Sequence, residues 1–227
     1  MSEYKMNQLK NYYEPLYEKF GVNERSLGWT KNKQAIRFEQ LLSYFNVGEG
    51  NRCYSLLDVG CGFADLNGYI KQNQDKYRNL SYNGIDMMPN FIEVAKSIYP
   101  EDKDNIVYSD FMKQDFGDIT YDIIVGSGTF GVMVSDDEDI MYDYVSGLMG
   151  KAFDISNIGI SFNFMSNNVD VKGSKIGFYS DPCRILKIAF GLSKRVVLDN
   201  SIMPFEYCVT IWKDDSFAKE TTVFNNY

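Results

Sequence analysis

The stretch YSLLDVGCGFADLNGYI, residues 54–70, constrains the fold more than any other part of the chain. An apolar run ends in Asp58, and Gly60, Gly62 and Ala64 follow at a spacing of two before helical periodicity begins. A buried strand that must turn at once into a helix needs residues that tolerate positive φ and carry little or no side chain. A helix N-terminus behind such a turn also leaves room for a ligand to meet the backbone. The alternative is a tight turn with no ligand, so the rest of the chain must decide.

The rest of the chain repeats the strand–helix alternation. Apolar runs at 54–59, 80–86, 105–110, 121–128 and 158–164 read as strands. Helical patterns fall at 6–19, 32–46, 63–74, 88–100, 135–153 and 180–192. Pro89 and Pro100 bracket the fourth of these, and acids Asp136–Asp139 open the fifth, where they suit the helix dipole better than a metal. Two closing strands, 194–199 and 205–213, sit close together around Pro204 and read as a hairpin. Alternation predicts a doubly wound α/β sheet with helices on both faces. A length of 227 residues fits one such domain over 1–227, with a helical cap at 1–50 and an insertion at 165–178 covering the substrate side.

In an open α/β sheet the ligand sits beyond the carboxyl ends of the strands. Here those ends carry Asp58, Asp86, Asp110 and the Gly126-Ser127-Gly128 turn. A nicotinamide dinucleotide asks for GxGxxG, but the third position is Asp65, whose charge opposes a pyrophosphate. A ligand with adenosine, a sulfonium and an ammonium tolerates these acids.

The net charge of −8, without a Lys/Arg cluster, argues against nucleic acid as partner. No apolar run is long enough to span a membrane. Four scattered cysteines without a signal-like start suit the cytoplasm, and the Asn- and Tyr-rich composition suits a bacterial source. The chain has no His, which excludes His-based triads and a His general base, and no CxxC pair suggests zinc. We expect no metal.

LLDVGCGFADL followed by YNGID, with YSDFM and YDIIVGSGTF behind them, resembles the ordered motifs of class I S-adenosylmethionine-dependent methyltransferases over about residues 30–165. The resemblance implies a Rossmann-like seven-stranded sheet of order 3-2-1-4-5-7-6, counting strands along the chain, with strand 7 antiparallel. It implies S-adenosyl-L-methionine as cofactor and S-adenosyl-L-homocysteine as product. Asp58 then anchors the loop and holds the cofactor's amino group through water, while Gly60, Cys61 and Gly62 bring backbone to its methionine part. Asp86 takes both ribose hydroxyls, and Met87 packs on adenine. Asp110 takes the adenine amino group beside Phe111. Gly126 and Ser127 offer carbonyls to the amino group. Ala64 stands where many members have a third Gly.

LGWTKNKQAIRFEQLL resembles the subset of that family acting on small molecules, in which Gln34 and Arg37 reach the cofactor's carboxylate; a solvated helix face explains them equally. Cys61 reads as a small filler in the loop. Trp29, Phe130, Tyr179 and Tyr207 are candidates for a substrate pocket, each of which packing also explains. Asp181 and Glu206 are candidate bases on position alone. The absence of an Asn/Asp-Pro-Pro-Tyr/Phe motif after the fourth strand argues against DNA-base or glutamine methylation. A small metabolite or a sugar or surface-glycan precursor, O-methylated on a carboxylate or hydroxyl, is the expected acceptor. A non-catalytic S-adenosylmethionine-binding protein carries the same motifs.

Overall fold

The computed structural model describes residues 2–28, 33–48, 50–174 and 176–213. Strands β1 (Tyr54–Val59), β2 (Leu80–Asp86), β3 (Ile106–Tyr108), β4 (Tyr121–Gly126), β5 (Ser156–Ser166), β7 (Arg195–Asp199) and β8 (Glu206–Trp212) form one sheet in the order β3-β2-β1-β4-β5-β8-β7. All run parallel except β8, which is antiparallel to both β5 and β7. This is the predicted order and direction, with one addition. A two-residue strand, β6 (Tyr179–Ser180), pairs parallel with the far end of β5. The sheet therefore has eight strands, against the seven expected, because two residues carry no periodicity that a pattern can register. The same pairing explains why β5 runs beyond its predicted end at 164: Met165 and Ser166 have a partner in β6, and Met165 also pairs Glu206 of β8.

Successive strand residues face opposite sides of a sheet, and the core follows that rule. Leu57, Ile124, Phe162 and Val209 join one apolar cluster, which the helices α6 (Glu138–Asp154) and α7 (Pro182–Leu192) cover. Leu56, Ile123, Val125 and Cys208 join the other, under α2 (Gln34–Leu42), α3 (Asp65–Gln72) and α5 (Pro89–Ile98). On α6 the buried positions 141, 142, 145, 148, 149 and 152 trace a single helical stripe. The predicted helix over 63–74 stops earlier, at Gln72, since Asn73 leaves helical φ/ψ, and a single further turn, α4 (Gln74–Tyr77), follows.

The first helix, α1 (Ser2–Phe20), starts before its predicted boundary and lies across the ligand edge. Tyr13 and Tyr17 meet Phe91 edge-on at 5.9 Å, and Phe91 meets Phe63 at 4.9 Å. Such ring pairs contribute about 0.5–1.5 kcal/mol each beyond area burial. Among the described residues, no helix is long and apolar enough to cross a membrane.

Candidate active site

The turn after β1 holds three consecutive alternate residues at positive φ: Gly60 at +76°, Gly62 at +55° and Ala64 at +61°. Ala64 is the one non-glycine residue with positive φ among the described residues. The loop is clamped to the end of β2. Gly60 N and Cys61 N donate to the Ile85 carbonyl at 2.8 and 3.2 Å. Gly62 N donates to Asp86 Oδ2 at 2.9 Å, and Met88 N donates to Asp86 Oδ1 at 2.8 Å. Asp86 thus fixes both the glycine loop and the start of α5.

Beside it, Asp58 is buried and accepts from the Tyr82 hydroxyl at 3.0 Å. Burial, with the charges of Asp86 and Asp65 behind it, pushes the Asp58 carboxyl up to about 7. Burial also raises Asp86 and Asp65, while the Gly62 and Met88 amides pull Asp86 back. The Cys61 thiol is driven well above its ordinary value by burial and by those two neighbouring carboxylates, Asp86 and Asp58, which makes it a packing residue and not a nucleophile.

These groups line a cavity of about 120 Å³. Asp58, Asp65, Asp86 and Asp110 all reach it, and no Lys or Arg is among its described lining residues. Gln34, Met87, Phe111 and Ser127 also line it, as do Gly60, Cys61 and Gly62, so ten of the twelve cofactor-side candidates meet at one place. Asp110 accepts from Met112 N at 3.0 Å, which orients it after β3. The Ser127 hydroxyl is buried and has no partner among the described residues, a polar atom waiting for one.

The other two candidates go elsewhere. Gly126 does not line the cavity; a Cβ there would lie 2.3 Å from Thr129 Oγ1 and 2.5 Å from the Phe162 ring, so packing explains the glycine. Arg37 turns away to Glu206. Its Nε donates to Glu206 Oε2 at 2.7 Å, and its Nη2 donates to Oε1. Both side chains are buried. Gln34 binds Asp65 Oδ2 at 3.2 Å, so the two helix residues predicted to act together separate.

The Arg37–Glu206 pair lines a second cavity of about 350 Å³ that shares Tyr13, Leu27 and Gly128 with the first. Tyr179 lines it as expected, and so do Gly173, Ser174 and Gly177 of the predicted insertion. The insertion is stitched to the loop after β4 by Met133 N donating to the Ile176 carbonyl at 2.9 Å. Asn163 bridges the two cavities: its Oδ1 accepts from Gly128 N at 2.7 Å, and its Nδ2 reaches Glu206 Oε2 at 3.5 Å.

Three candidates fall outside both cavities. Phe130 is core, stacked on Phe164 at 5.0 Å. Tyr207 is core as well, with its hydroxyl on Ser180 Oγ at 2.5 Å. Asp181 is the N-cap of α7, accepting from Cys183 N at 2.8 Å, and it lines neither cavity. Trp29 lies outside the described residues. Sequence reasoning missed Leu9 and Tyr13 of α1, Phe91, Tyr144 and Asn163. All sit far along the chain from the glycine loop, and none belongs to a local motif.

No protein-family model matches the chain, and no curated protein matches its sequence. Solved structures do match in fold. A magnesium protoporphyrin IX methyltransferase from Synechocystis, solved with bound SAH, aligns at a TM-score of 0.63 and 10% identity over 93% of this chain and 97% of its own. A TehB-like SAM-dependent methyltransferase from Corynebacterium glutamicum gives 0.52 and 16% over 89% and 97%. An S-adenosylmethionine-dependent methyltransferase from Clostridium acetobutylicum gives 0.55 and 10% over 89% and 98%. The chain has the fold of the class I S-adenosylmethionine-dependent methyltransferases.

Proposed function

We propose that this chain is an S-adenosylmethionine-dependent methyltransferase acting on a small molecule, by O-methylation of a carboxylate or hydroxyl of a metabolite or of a sugar or surface-glycan precursor. One observation carries the reading: four carboxylates converge on a cavity that no cation lines among the described residues. Such a donor set opposes a phosphate-bearing cofactor and favours one that is cationic. The unpartnered Ser127 hydroxyl and the loop that presents Gly60 and Gly62 backbone fit the same ligand.

Bound there, the cofactor supplies an electrophilic methyl group on a sulfonium whose departure leaves a neutral thioether. The chain's part is to bind, orient and desolvate. The Asp86 carboxylate at the end of β2 suits the ribose hydroxyls, and Asp110 suits an adenine amino group between Met87 and Phe111. Asp58 and Ser127 suit the ammonium end. Arg37, held by Glu206, is not assigned to the cofactor's carboxylate. The second cavity adjoins the first, which favours an enzyme with an acceptor site over a protein that only binds the cofactor.

Calorimetry with S-adenosylmethionine and S-adenosylhomocysteine tests this. The wild type should bind each at one site, and Asp86→Ala should bind at least tenfold more weakly. A folded wild type that binds neither at millimolar concentration refutes the proposal.

A further inference from the structure

The two cavities differ in charge. The first is wholly acidic among its described lining residues. The second has one carboxylate, Glu206, and Arg37 neutralises it through two hydrogen bonds. Two more cations stand over its aromatic walls. Lys33 Nζ lies 5.8 Å from the centre of the Phe205 ring, and Lys172 Nζ lies 5.4 Å from that of Tyr179. Both distances are within cation–π range, so these ammonium groups are held against the rings that bound the cavity. In a chain of net charge −8, this is a local reversal of sign.

The second cavity also lacks a base. The chain has no His. Glu206 is held in a buried ion pair with Arg37, and a proton taken up there would leave the guanidinium buried without its countercharge. Burial holds the phenols of Tyr12 and Tyr13 above their ordinary value, and the Tyr179 hydroxyl accepts from Ser174 N at 3.1 Å. A hydroxyl acceptor must lose a proton, and no lining group among those described is placed to take it. A carboxylate acceptor is already ionised at neutral pH.

We infer that the acceptor is an anionic small molecule with a planar apolar body, methylated on its carboxylate oxygen. This rests on the methyltransferase reading above. In the step, a carboxylate lone pair forms the O–CH₃ bond while the S–CH₃ bond breaks and its electron pair stays on sulfur. The products are a neutral methyl ester and a neutral thioether, and no proton is released. The aromatic walls bind the body, and Lys33 and Lys172 draw the anion in.

The test uses the full chain loaded with S-adenosylhomocysteine, with 2-naphthoate and its neutral isostere 2-naphthamide as calorimetric probes. The acid should bind about tenfold more tightly than the amide. Lys33→Gln/Lys172→Gln should weaken the acid several-fold and leave the amide unchanged, and 0.5 M salt should shrink the difference. With methyl-tritiated S-adenosylmethionine, label passed to 2-naphthoate should be released as methanol by mild base. Equal or tighter binding of the amide, no binding of the acid at millimolar concentration, or label in a base-stable product each overturns the inference. If S-adenosylhomocysteine itself does not bind, the cofactor reading falls and takes this inference with it. If it binds and the acid is not preferred, this inference falls alone.

Discussion

Replacing Asp58 with Asn takes one charge out of the most crowded part of the site. Asp58 is buried at the end of β1, with Asp86 and Asp65 nearby, and its carboxyl is pushed up to about 7. In the unfolded chain it ionises near ~3.9. Between those values the unfolded chain has released the proton while the folded chain still holds it. Stability is therefore intact below about pH 4 and falls as pH rises, until the folded carboxyl too has ionised near 7. The gap is about 3 pH units, which at ~1.4 kcal/mol per unit comes to roughly 4 kcal/mol. Asn cannot ionise, yet its carbonyl can still accept from the Tyr82 hydroxyl at 3.0 Å. We therefore expect Asp58→Asn to match the wild type at pH 4 and to exceed it by about 2–4 kcal/mol at pH 8. Urea unfolding of both proteins at pH 4, 6 and 8 measures the difference, and the other acids, common to both, largely cancel. Two parallel stability profiles would show that Asp58 ionises normally and that burial does not set its charge. The stabilised variant should also bind S-adenosylmethionine more weakly, since a negative charge kept at the cost of stability is the usual mark of a working site.

Glu206→Ala leaves Arg37 without its carboxylate in a buried position. It should cost about 3–5 kcal/mol in thermal or urea unfolding, and Glu206→Ala combined with Arg37→Met should recover part of that loss. Asp181→Ala removes the cap of α7 and should cost about 1 kcal/mol. Its methyl transfer should be unaltered, whereas a large fall in turnover would return Asp181 to the catalytic candidates. A thiol titration of the folded protein should find Cys53 and Cys183 reactive and Cys61 and Cys208 protected, with all four reactive in denaturant.

Much of this architecture was legible in the sequence because local rules govern it. Asp58 near the end of β1, Asp86 at the end of β2 and Asp110 just beyond β3 need only an apolar run followed by an acid to be seen. Parallel topology then brings those ends to one edge, so residues 24 or more apart meet without any further signal. The rest depended on contacts that no local pattern encodes. Arg37 and Glu206 stand 169 positions apart, and only the folded sheet reveals that each is the other's partner. Tyr13 and Leu9 reach the cavity because α1 lies over it, and a helix's periodicity does not say where the helix docks. Asp181 misled because an acid before Pro182 caps a helix as readily as it serves chemistry.

The reversal of β8 carries one more consequence. Parallel strands deliver their last residues to the ligand edge, but β8 runs backwards and delivers its first, Glu206. The position of that acid is therefore set by the length of the turn from Asn200 to Phe205, just as the acids of β1 and β2 are set by their own strands. Inserting or deleting a single residue there would slip the register by one and hand the place of Glu206, opposite Met165, to Phe205 or Tyr207. A surface hairpin that looks free to vary in length is, in this molecule, a ruler.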